Sequence, residues 1–468
     1  MTTTVARPRL VGSDVEVPLV TGGTTRHVNL DYAASTPALR EAAEAVNALL
    51  PWYGSVHRGA GYKSLVSTGA YESARSVIRS FLRVPEDHVL LFTRNTTDSL
   101  NLLSASLPGE AFVLTFDSEH HANLLPWRRR RARFLPAPPA RDAVVDAVTE
   151  ALKVVRREAP NAPVLVALTG ASNVTGEIWP VGEVVEAAHR YGARVLMDAA
   201  QLAPHAPIDM SALGVDYLAL SGHKLYAPFG AGVLVGRADW LQATEPFLLG
   251  GGAVRFVTTD EVLWSALPHR QEAGSPNVLG AVALAAACRA LARIGMEHLA
   301  FEEQGLLELA RQRLSRVPNL TIHTLWSEPG PRIGVVTFTV EGIDHGLLAA
   351  ILSAEHGIGV RHGCFCAHPL MLRLLRVSEA AAERLRSRLR AGEPLRLPGA
   401  VRMSLGIDST AEDVERLATA LERVALEGPR WRYRLDETGE WVPDPDPRPV
   451  PDLPFPINLE RHLGGESS

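Results

Sequence analysis

The sequence predicts an α/β fold, with a mainly parallel sheet in a large domain followed by a smaller α+β domain. Short apolar runs alternate with helical patterns, as in sheets whose strands are buried on both faces. These runs are Val89 to Phe92, Phe112 to Phe116, Val164 to Leu168, Val195 to Met197, Tyr217 to Leu220 and Val233 to Val235. Beyond residue 296 the pattern changes to a long amphipathic helix, Leu299 to Leu314, and then to strands at Leu320 to His323 and Gly334 to Val340. A chain of 468 residues is also too long for one simple core.

The small domain is expected to end in an amphipathic helix. Apolar residues share one face from Ala411 to Glu427, and Ser409 and Glu412 have the spacing of a capping box at its start. The predicted division is an N-terminal arm (1–27), a large domain (28–295), a small C-terminal domain (296–427) and a proline-rich tail (428–468).

The tail differs in composition from the rest of the chain. From Pro443 onward prolines recur every two or three residues, which excludes helix and central strand. A small hairpin is expected around Thr438-Gly439, before the prolines. We interpret the tail as a strap over the protein's own surface, with a partner-docking arm as the alternative.

Composition and cysteine usage limit the classes of function. The formal net charge of −5 gives no electrostatic reason to bind nucleic acid or an anionic membrane, and the run Arg128 to Arg131 is predicted to be a solvated helix face. The longest apolar stretch, Val278 to Ala287, is too short for a bilayer and indicates a buried helix, and the start of the chain lacks signal-peptide features. Cys288, Cys364 and Cys366 fit neither a disulfide framework, a zinc site nor a CxxC redox pair. We therefore expect a cytoplasmic protein without a metal site.

A lysine and an aspartate each follow an apolar run that indicates a buried parallel strand. Asp198 follows Val195 to Met197, and Lys224 follows Tyr217 to Leu220. Side chains at the carboxyl ends of neighbouring parallel strands face one crevice. Pyridoxal 5'-phosphate needs an amine for a Schiff base and a carboxylate beside its ring nitrogen. The pair therefore predicts this cofactor, although a lysine taken alone is more often a solvated surface residue.

Five strings of residues carry a family resemblance. They are DAAQ from Asp198, SGHK from Ser221, EHHAN from Glu119, EAGSPN from Glu272 and RHGCFCAHP from Arg361. Through them about residues 28 to 425 resemble the class V aminotransferases among the fold-type I pyridoxal phosphate enzymes, and most closely the group II cysteine desulfurases and selenocysteine lyases. The resemblance implies an aspartate aminotransferase-like large domain with a seven-stranded sheet, and a homodimer with shared active sites.

Several hydroxyl groups are candidates for binding the cofactor phosphate. Thr96 and Thr97 follow a strand and open an amphipathic helix, so a phosphate fits at the helix N-terminus, with a simple helix cap as the alternative. The resemblance assigns the phosphate to Thr97, with Thr96 beside it. Ser221 and His223 offer further phosphate contacts. The resemblance also implies that Ser275 reaches the phosphate held by the other subunit, although a serine there also fits a turn or a cap.

Three polar residues are candidates for the cofactor ring. A flat imidazole at His120, just beyond the strand Phe112 to Phe116, can stack on the ring, whereas a lone loop histidine is more often a surface residue. The resemblance assigns the stacking to His120 and leaves His121 open. It places Asn173 near the phenolic oxygen and the substrate carboxylate, and Gln201 on the phenolic oxygen. Each of these two alone would also fit a turn.

The segment around Cys366 selects among reactions. An amino acid attached to the cofactor can lose its Cα proton to Lys224, after which transamination, or attack by a thiolate on the substrate's sulfur, can follow. The second route needs a reachable deprotonated cysteine, and the resemblance aligns Cys366 with the persulfide cysteine. Cys364 is interpreted as a small buried side chain, with a role in resolving or protecting the persulfide as the alternative.

Substrate recognition is assigned mainly to Arg402. It resembles the family arginine that binds the α-carboxylate as a bidentate pair. Arg361 and His57 complete the predicted substrate contacts. The segment Met371 to Gly399 is longer than in typical group II desulfurases, so it is expected to alter the entrance, the substrate or the sulfur acceptor.

The leading hypothesis is a cysteine desulfurase that forms alanine and a persulfide on Cys366, with selenocysteine as a further substrate and a sulfur-acceptor protein as a partner. The enzyme rivals are a class V aminotransferase, an epimerase or a C–S lyase in which Cys366 takes no part. A rival of another class is a scaffold that binds partners through its tail, and the intact Lys224 and Asp198 weigh against it.

Overall fold

The computed structural model describes residues 9–393 and 395–449. In this part of the chain the strands are β1 (Glu16–Pro18), β2 (Thr24–Arg26), β3 (Val28–Asn29), β4 (His88–Thr93), β5 (Phe112–Phe116), β6 (Arg131–Leu135), β7 (Val164–Thr169), β8 (Arg194–Asp198), β9 (Tyr217–Ser221), β10 (Gly232–Arg237), β11 (Val254–Val257), β12 (Val262–Trp264), β13 (Leu320–His323), β14 (Val335–Val340), β15 (Ile358–Gly359), β16 (Arg361–Gly363), β17 (Ala400–Ser404), β18 (Tyr433–Leu435) and β19 (Trp441–Pro443).

Helices connect most of these strands. In the described residues they are α1 (Arg40–Leu49), α2 (Tyr62–Phe81), α3 (Thr96–Ser106), α4 (Ala143–Glu158), α5 (Val181–Arg190), α6 (Met210–Leu213), α7 (Ala238–Ala243), α8 (Val278–Ile294), α9 (Met296–Leu314), α10 (His345–His356), α11 (His368–Leu374), α12 (Glu379–Arg390) and α13 (Ala411–Glu427). The long helices predicted after residue 296 and at the end of the small domain are both confirmed.

A seven-stranded sheet organises the first part of the described chain, in the order β4-β10-β9-β8-β7-β5-β6. Strand β10 is antiparallel to both of its neighbours, β4 and β9, and the other pairs are parallel. Each of the predicted apolar runs forms one of these strands, so the mainly parallel sheet is confirmed. Its parallel strands end at one edge, where a crevice can form.

Both faces of this sheet are covered. On β5, Val113 packs into a cluster with α3, whereas Leu114 packs into a larger cluster with helices α1, α2, α4, α5 and α8. Burial on two sides explains why these strands show continuous apolar runs rather than alternation. The stretch Val278 to Ala287 lies in the buried helix α8, as predicted.

The edge strand β6 corrects one prediction. The arginines from Arg128 onward were expected on a helix face, but Arg131 begins a strand that pairs in parallel with β5. The guanidinium groups of Arg131 and Arg133 lie 5.4 and 5.9 Å from the ring centre of Phe112. An edge strand has one unpaired side and tolerates such long charged side chains, so its sequence lacks the apolar run of a central strand.

A second sheet, with the order β13-β14-β17-β16, forms the smaller α+β part. Apolar residues of α9, α10 and α13 pack with it in a separate core. The capping box of α13 is formed by Thr410 and Asp413, so the predicted pair Ser409 and Glu412 is wrong by one residue. Ser409 instead accepts a hydrogen bond from the backbone N–H of Gly406 at 2.9 Å, which occupies its hydroxyl in the preceding turn.

The described tail packs on the protein's own surface. Strands β18 and β19 form the predicted hairpin. A carboxylate oxygen of Glu355 accepts from the Tyr433 hydroxyl at 3.0 Å, and the Trp441 indole N–H donates to Asp344 at 3.0 Å. These contacts favour the strap interpretation up to residue 449, and the remaining tail lies outside the described residues. The three boundaries between the four predicted segments stay predictions.

The described residues contain neither a single membrane-spanning helix nor a cluster of metal-binding side chains. In these residues no single helix is both long and apolar enough to cross a membrane. Helices α8 and α9 have that length and apolar character only together, and they are bent by 77° relative to each other. In the same part of the chain, no group of three or more His, Cys, Asp or Glu side chains is placed to hold a metal ion.

Candidate active site

A cavity of about 240 Å³ lies at the carboxyl ends of the parallel strands. The loops after β4, β5, β7, β8 and β9 meet there because these strands run in one direction and end at one edge. The predicted site residues that line the cavity are Thr96, Thr97, His120, Asn173, Asp198, Gln201, Ser221, His223, Lys224, Arg361, Cys366 and Arg402. The other two predicted residues, His57 and Ser275, lie elsewhere.

Lys224 and Asp198 face this cavity from neighbouring strand ends. Asp198 is the last residue of β8, is 4% exposed and accepts a hydrogen bond from the Ala200 backbone N–H at 3.0 Å. Burial raises the pKa of Asp198, and the charge of Lys224 lowers it. Burial lowers the pKa of Lys224 to about 8, against the opposing effect of Asp198. The cavity therefore holds an amine that releases its proton readily beside a buried carboxyl group.

The N-terminus of α3 forms one corner of the cavity. Asn95 is the N-cap, and its side chain accepts from the Asp98 backbone N–H at 3.0 Å. The alternative that a threonine caps this helix is therefore wrong. The backbone N–H and the hydroxyl of Thr96 both lie 2.8 Å from the Ser221 hydroxyl oxygen, and Thr97 is exposed beside them. A helix N-terminus with several hydroxyl groups suits a phosphate.

Two uncharged imidazoles line the same cavity. The Nδ1 atom of His120 accepts from the Ala122 backbone N–H at 3.1 Å, so the ring proton is on Nε2. Burial, aided by the charge of Lys224, lowers the pKa of His120 to about 3 and that of His223 to about 4. Both rings are neutral at physiological pH, and His120 is a flat, uncharged wall of the cavity.

Glu119 holds the loop that carries His120. Its side chain is fully buried, with one carboxyl oxygen 2.9 Å from the Thr169 backbone N–H and the other 2.8 Å from the Asn123 side-chain amide. Burial raises the pKa of Glu119 to about 8. Sequence reasoning assigned no role to this residue, although it stands directly before His120 in the EHHAN string.

Arg402 enters the cavity wall from the second sheet. Its Nη1 donates to the Asn173 carbonyl at 2.8 Å, its Nη2 donates to Asp31 at 3.2 Å, and the guanidinium carbon lies 5.0 Å from the Phe365 ring centre. The arginine is 3% exposed, so these contacts fix its position. Sequence reasoning missed Asp31 and Phe365. Asp31 is 371 residues from Arg402 in the chain, and no local spacing signals that contact.

Two buried polar atoms of the cavity-lining residues have no partner in the described chain. One is Nε of Arg402 and the other is Oε1 of Gln201, whose Nε2 donates to the Ala33 carbonyl at 2.7 Å. Buried polar groups in native proteins are nearly always paired, so these two atoms indicate a polar ligand. Together with the amine, the carboxyl group and the helix N-terminus, they fit pyridoxal 5'-phosphate and an amino acid.

Cys366 lies on a loop held against the cavity. The Asn173 side-chain amide donates to the Phe365 carbonyl at 2.7 Å, and the His121 backbone N–H donates to the Cys366 carbonyl at 2.8 Å. Cys366 is exposed and lines the cavity. A negative charge on Cys366 would raise the pKa values of both Lys224 and Arg402, so the sulfur lies close to both groups. The thiol is therefore within the field of the two cations that a bound amino acid would meet.

A second cavity, of about 460 Å³, contains His57 and Ser275. Both residues are exposed, and the His57 ring nitrogen Nε2 lies 2.9 Å from a Glu72 carboxylate oxygen. Within one chain these residues are separate from the Lys224 cavity.

Comparisons with known proteins identify the family. The model of the family described as "Aminotransferase class-V" matches residues 28–417. The chain belongs to the class V aminotransferase family. A probable cysteine desulfurase from Halalkalibacterium halodurans is 35% identical over 407 residues, covering 85% of this chain and 92% of that protein. A probable cysteine desulfurase from Aeropyrum pernix is 36% identical over 419 residues, covering 85% of this chain and 94% of that protein.

Solved structures of the same class resemble this fold. The apo cysteine desulfurase of Thermococcus onnurineus has a TM-score of 0.74 and 29% identity, covering 90% of this chain and 99% of that one. A cysteine desulfurase from Escherichia coli, described as its S-sulfonic acid, has a TM-score of 0.71 and 31% identity, covering 86% and 95%. These similarities confirm the predicted fold-type I architecture. Class V aminotransferases are pyridoxal phosphate-dependent enzymes, and this chain is one of them.

Proposed function

We propose that the protein is a pyridoxal 5'-phosphate-dependent cysteine desulfurase, which converts L-cysteine to L-alanine and keeps the sulfur as a persulfide on Cys366. The observation that carries this proposal is an exposed thiol in the same cavity as Lys224, Asp198 and Arg402. Transamination alone needs no thiol at that position. Relatives named cysteine desulfurase, 33 to 36% identical to this chain, support the same conclusion.

The cavity offers a polar or charged side chain for each polar group of the cofactor. The cofactor, when bound, supplies an electron sink for the bonds at Cα of an attached amino acid. In the proposal Lys224 binds the cofactor aldehyde, Asp198 pairs with the ring nitrogen and His120 stacks on the ring. The phosphate contacts are Thr96, Thr97, Ser221 and His223, and the contacts to the phenolic oxygen are Gln201 and Asn173.

Arg402 is the proposed anchor for the substrate. Its Nη contacts to Asn173 and Asp31 leave Nε and further N–H groups for a carboxylate, which a guanidinium binds in bidentate fashion. Arg361, which is exposed on the same cavity wall, adds positive charge for the same group. A substrate held there has its Cα within the cavity that Lys224 faces.

Two residues then act on the substrate. Lys224, with its pKa lowered to about 8, takes the Cα proton. The Cys366 thiolate attacks the substrate sulfur and forms an S–S bond while the C–S bond breaks. The electron pair of that C–S bond remains on Cβ, which takes up a proton, and Lys224 returns its proton to Cα, so the product is alanine. No external oxidant is needed, because Cβ gains the two electrons that the substrate sulfur loses when the S–S bond forms.

A direct test uses the full-length protein loaded with pyridoxal phosphate, with cysteine as substrate and no other thiol present. We expect alanine, and one added sulfur on the peptide that contains Cys366, whereas C366S should give neither. The variant C288A is the matched control, because Cys288 is fully buried in α8 and should not affect the adduct. Full turnover without Cys366, or products without alanine, would instead favour an aminotransferase, an epimerase or a C–S lyase.

We also propose a homodimer in which Ser275 and His57 of one subunit complete the site of the other. Both line an exposed cavity away from Lys224. Large apolar side chains close in sequence to the residues of this cavity are exposed, and exposed apolar patches mark interaction surfaces. They are Trp52, Tyr53, Tyr62, Leu65, Phe256, Val257, Val262 and Leu263.

Mixed dimers test the shared site. K224A and S275A should each be impaired as homodimers, and refolding them together should restore activity. In the mixed dimer, the S275A chain keeps its own Lys224 and receives an intact Ser275 from its partner. If Ser275 acts within its own chain, the mixture gives no recovery beyond the sum of the two variants. Light scattering that shows a monomer at working concentration would also refute the proposal.

The remaining expectations follow from this reaction. A persulfide must be discharged before the next turnover, so a sulfur-acceptor protein is proposed as a partner. The free thiols Cys364 and Cys366 fit a reducing, cytoplasmic location. Selenocysteine is a proposed second substrate, tested by measuring alanine formation from it alongside cysteine.

A further inference from the structure

The second thiol of the sulfur loop, Cys364, contacts a pair of histidines. Its Sγ lies 3.2 Å from Nε2 of His368, and Nδ1 of His368 lies 3.1 Å from Nε2 of His121. The two imidazole rings are stacked, with centres 5.0 Å apart and planes within 5°. This arrangement of one thiol and two aligned imidazoles has no place in the reaction described so far.

The hydrogen bonds fix which nitrogen of His368 carries the proton. Nε2 of His121 faces the backbone N–H of His368 at 3.3 Å, so it is an acceptor. The Nδ1 atom of His368 must then donate to it, and Nε2 of His368 is left without a proton. The Cys364 sulfur lies nearer to that nitrogen, at 3.2 Å, than to Nδ1, at 3.8 Å. His368 is therefore set as an acceptor for the thiol proton.

Cys364 needs such a base. It is partly buried against a small apolar cluster with Leu374, and burial raises the pKa of its thiol. A thiol reacts as its thiolate, so an isolated Cys364 would be inert. An imidazole beside the thiol that can accept its proton removes this obstacle, as it does for other enzyme nucleophiles.

The two thiols lie two residues apart in one tight turn, close enough for the charge of Cys366 to raise the pKa of Cys364. The Ala367 backbone N–H donates to the Cys364 carbonyl at 3.0 Å, and Phe365 and Cys366 between them both have φ of 54°. Left-handed backbone at two consecutive non-glycine residues costs roughly 1–3 kcal/mol each and persists where the surroundings impose it. Cys366 lines the cavity, whereas Cys364 does not and packs against an apolar cluster that includes Phe365.

We propose that Cys364 is a second sulfur-carrying residue, which takes the sulfane sulfur from the Cys366 persulfide with His368 as base. His368 accepts the Cys364 proton, and the Cys364 thiolate attacks the outer sulfur of Cys366. A new S–S bond forms at Cys364 while the bond at Cys366 breaks. Cys366 leaves as a thiolate and regains the proton from His368. The inference rests on the proposed desulfurase function and needs no further oxidant or reductant.

The transfer has a countable consequence. Once the sulfur has moved to Cys364, Cys366 is free to attack a second cysteine while no acceptor is present. The wild-type enzyme should therefore form about two alanines per active site before it stalls, whereas an enzyme with one sulfur-carrying thiol stalls at about one. The sulfur would also have moved from a residue that lines the cofactor cavity to one that does not.

Rapid-quench measurements on the loaded enzyme, with excess cysteine and no reductant, test this. Alanine is counted per active site, and free and persulfide thiols are alkylated. Trypsin releases residues 362–373, which contain both thiols, and fragmentation of that peptide locates the added sulfur. We expect about two alanines in the wild type, with one added sulfur on each of Cys364 and Cys366, but about one alanine in C364S, with the added sulfur on Cys366. In H368Q the second alanine should form more slowly. The control C288A should match the wild type.

The outcomes separate the two proposals. One alanine per site in the wild type, with sulfur on Cys366 alone, would overturn the role of Cys364 and leave the desulfurase function intact. Release of sulfide with a Cys364–Cys366 disulfide would also overturn it, because the thiolate would then have attacked the inner sulfur. Absence of both alanine and adduct, with normal cofactor loading, would refute the desulfurase function and this inference with it.

Discussion

The lowered pKa of Lys224 predicts how cofactor uptake depends on pH. Burial brings this pKa from 10.5 to about 8. Only the neutral amine attacks an aldehyde, so uptake should rise with pH and level off above the pKa. At pH 7 an amine with a pKa of 8 is about 9% neutral, against roughly 0.03% for a pKa of 10.5, a difference of about 300-fold. His120 and His223, with pKa values of about 3 and 4, do not titrate in this range.

The assay mixes cofactor-free protein with limiting pyridoxal phosphate between about pH 6.5 and 9.5 and traps the product with borohydride. Mass spectrometry then counts the label on Lys224. We expect a midpoint near 8 in the wild type. The charge of Asp198 raises the pKa of Lys224, so D198N should move the midpoint to lower pH. Two results together would refute the argument from burial. Cofactor uptake by the wild type would still be rising at the upper limit of pH, and its pH dependence would be the same in D198N.

Three further predictions concern residues around the cavity. R402K keeps the charge but loses the planar fork of the guanidinium, so the variant should lose about 2–4 kcal/mol of binding free energy. Its kcat/KM for cysteine should therefore fall roughly 30- to 1,000-fold, mainly through KM. A loss below about fivefold in a folded variant would contradict the anchoring role. Glu119 has a pKa raised to about 8, so its contribution to stability is lost as pH rises from about 4.5 towards 8. The difference in melting temperature between wild type and E119Q should therefore shrink, or change sign in favour of the variant, over that interval. A constant difference would argue against a buried neutral carboxyl group. N95A removes the cap of α3 and should cost about 1 kcal/mol in urea unfolding and weaken cofactor binding, whereas unchanged values of both would contradict the capping role.

Central elements and edge elements differed in how far the sequence predicted them. Strands β5, β7, β8 and β9 are buried on both faces, so their apolar runs were visible in the sequence. Strand β6 is an edge strand and carries arginines whose guanidinium groups lie over Phe112, so the same rule missed it. The capping box of α13 was misplaced by one residue because Ser409 and Thr410 both suit an N-cap, and only the preceding turn decides between them.

The site shows the same division. Lys224 and Asp198 were found because Asp198 ends β8 and Lys224 lies three residues beyond β9. The carboxyl ends of neighbouring parallel strands lie at one edge of a sheet, so such residues meet. Asp31 was missed because it meets Arg402 across 371 residues of chain. The position of Ser275 relative to Lys224 within one chain was likewise beyond any local pattern.

By itself, the sequence determined the sheet, the family, the cofactor class and the residues with the right chemistry, because hydrophobic period and strand-end position are local properties of a chain. Only the tertiary structure decided which protons and partners those residues have. It set the neutral state of His120, the unpaired Nε of Arg402 and the acceptor nitrogen that His368 turns towards Cys364. These depend on burial and on contacts between distant segments, which exist only once the chain has packed.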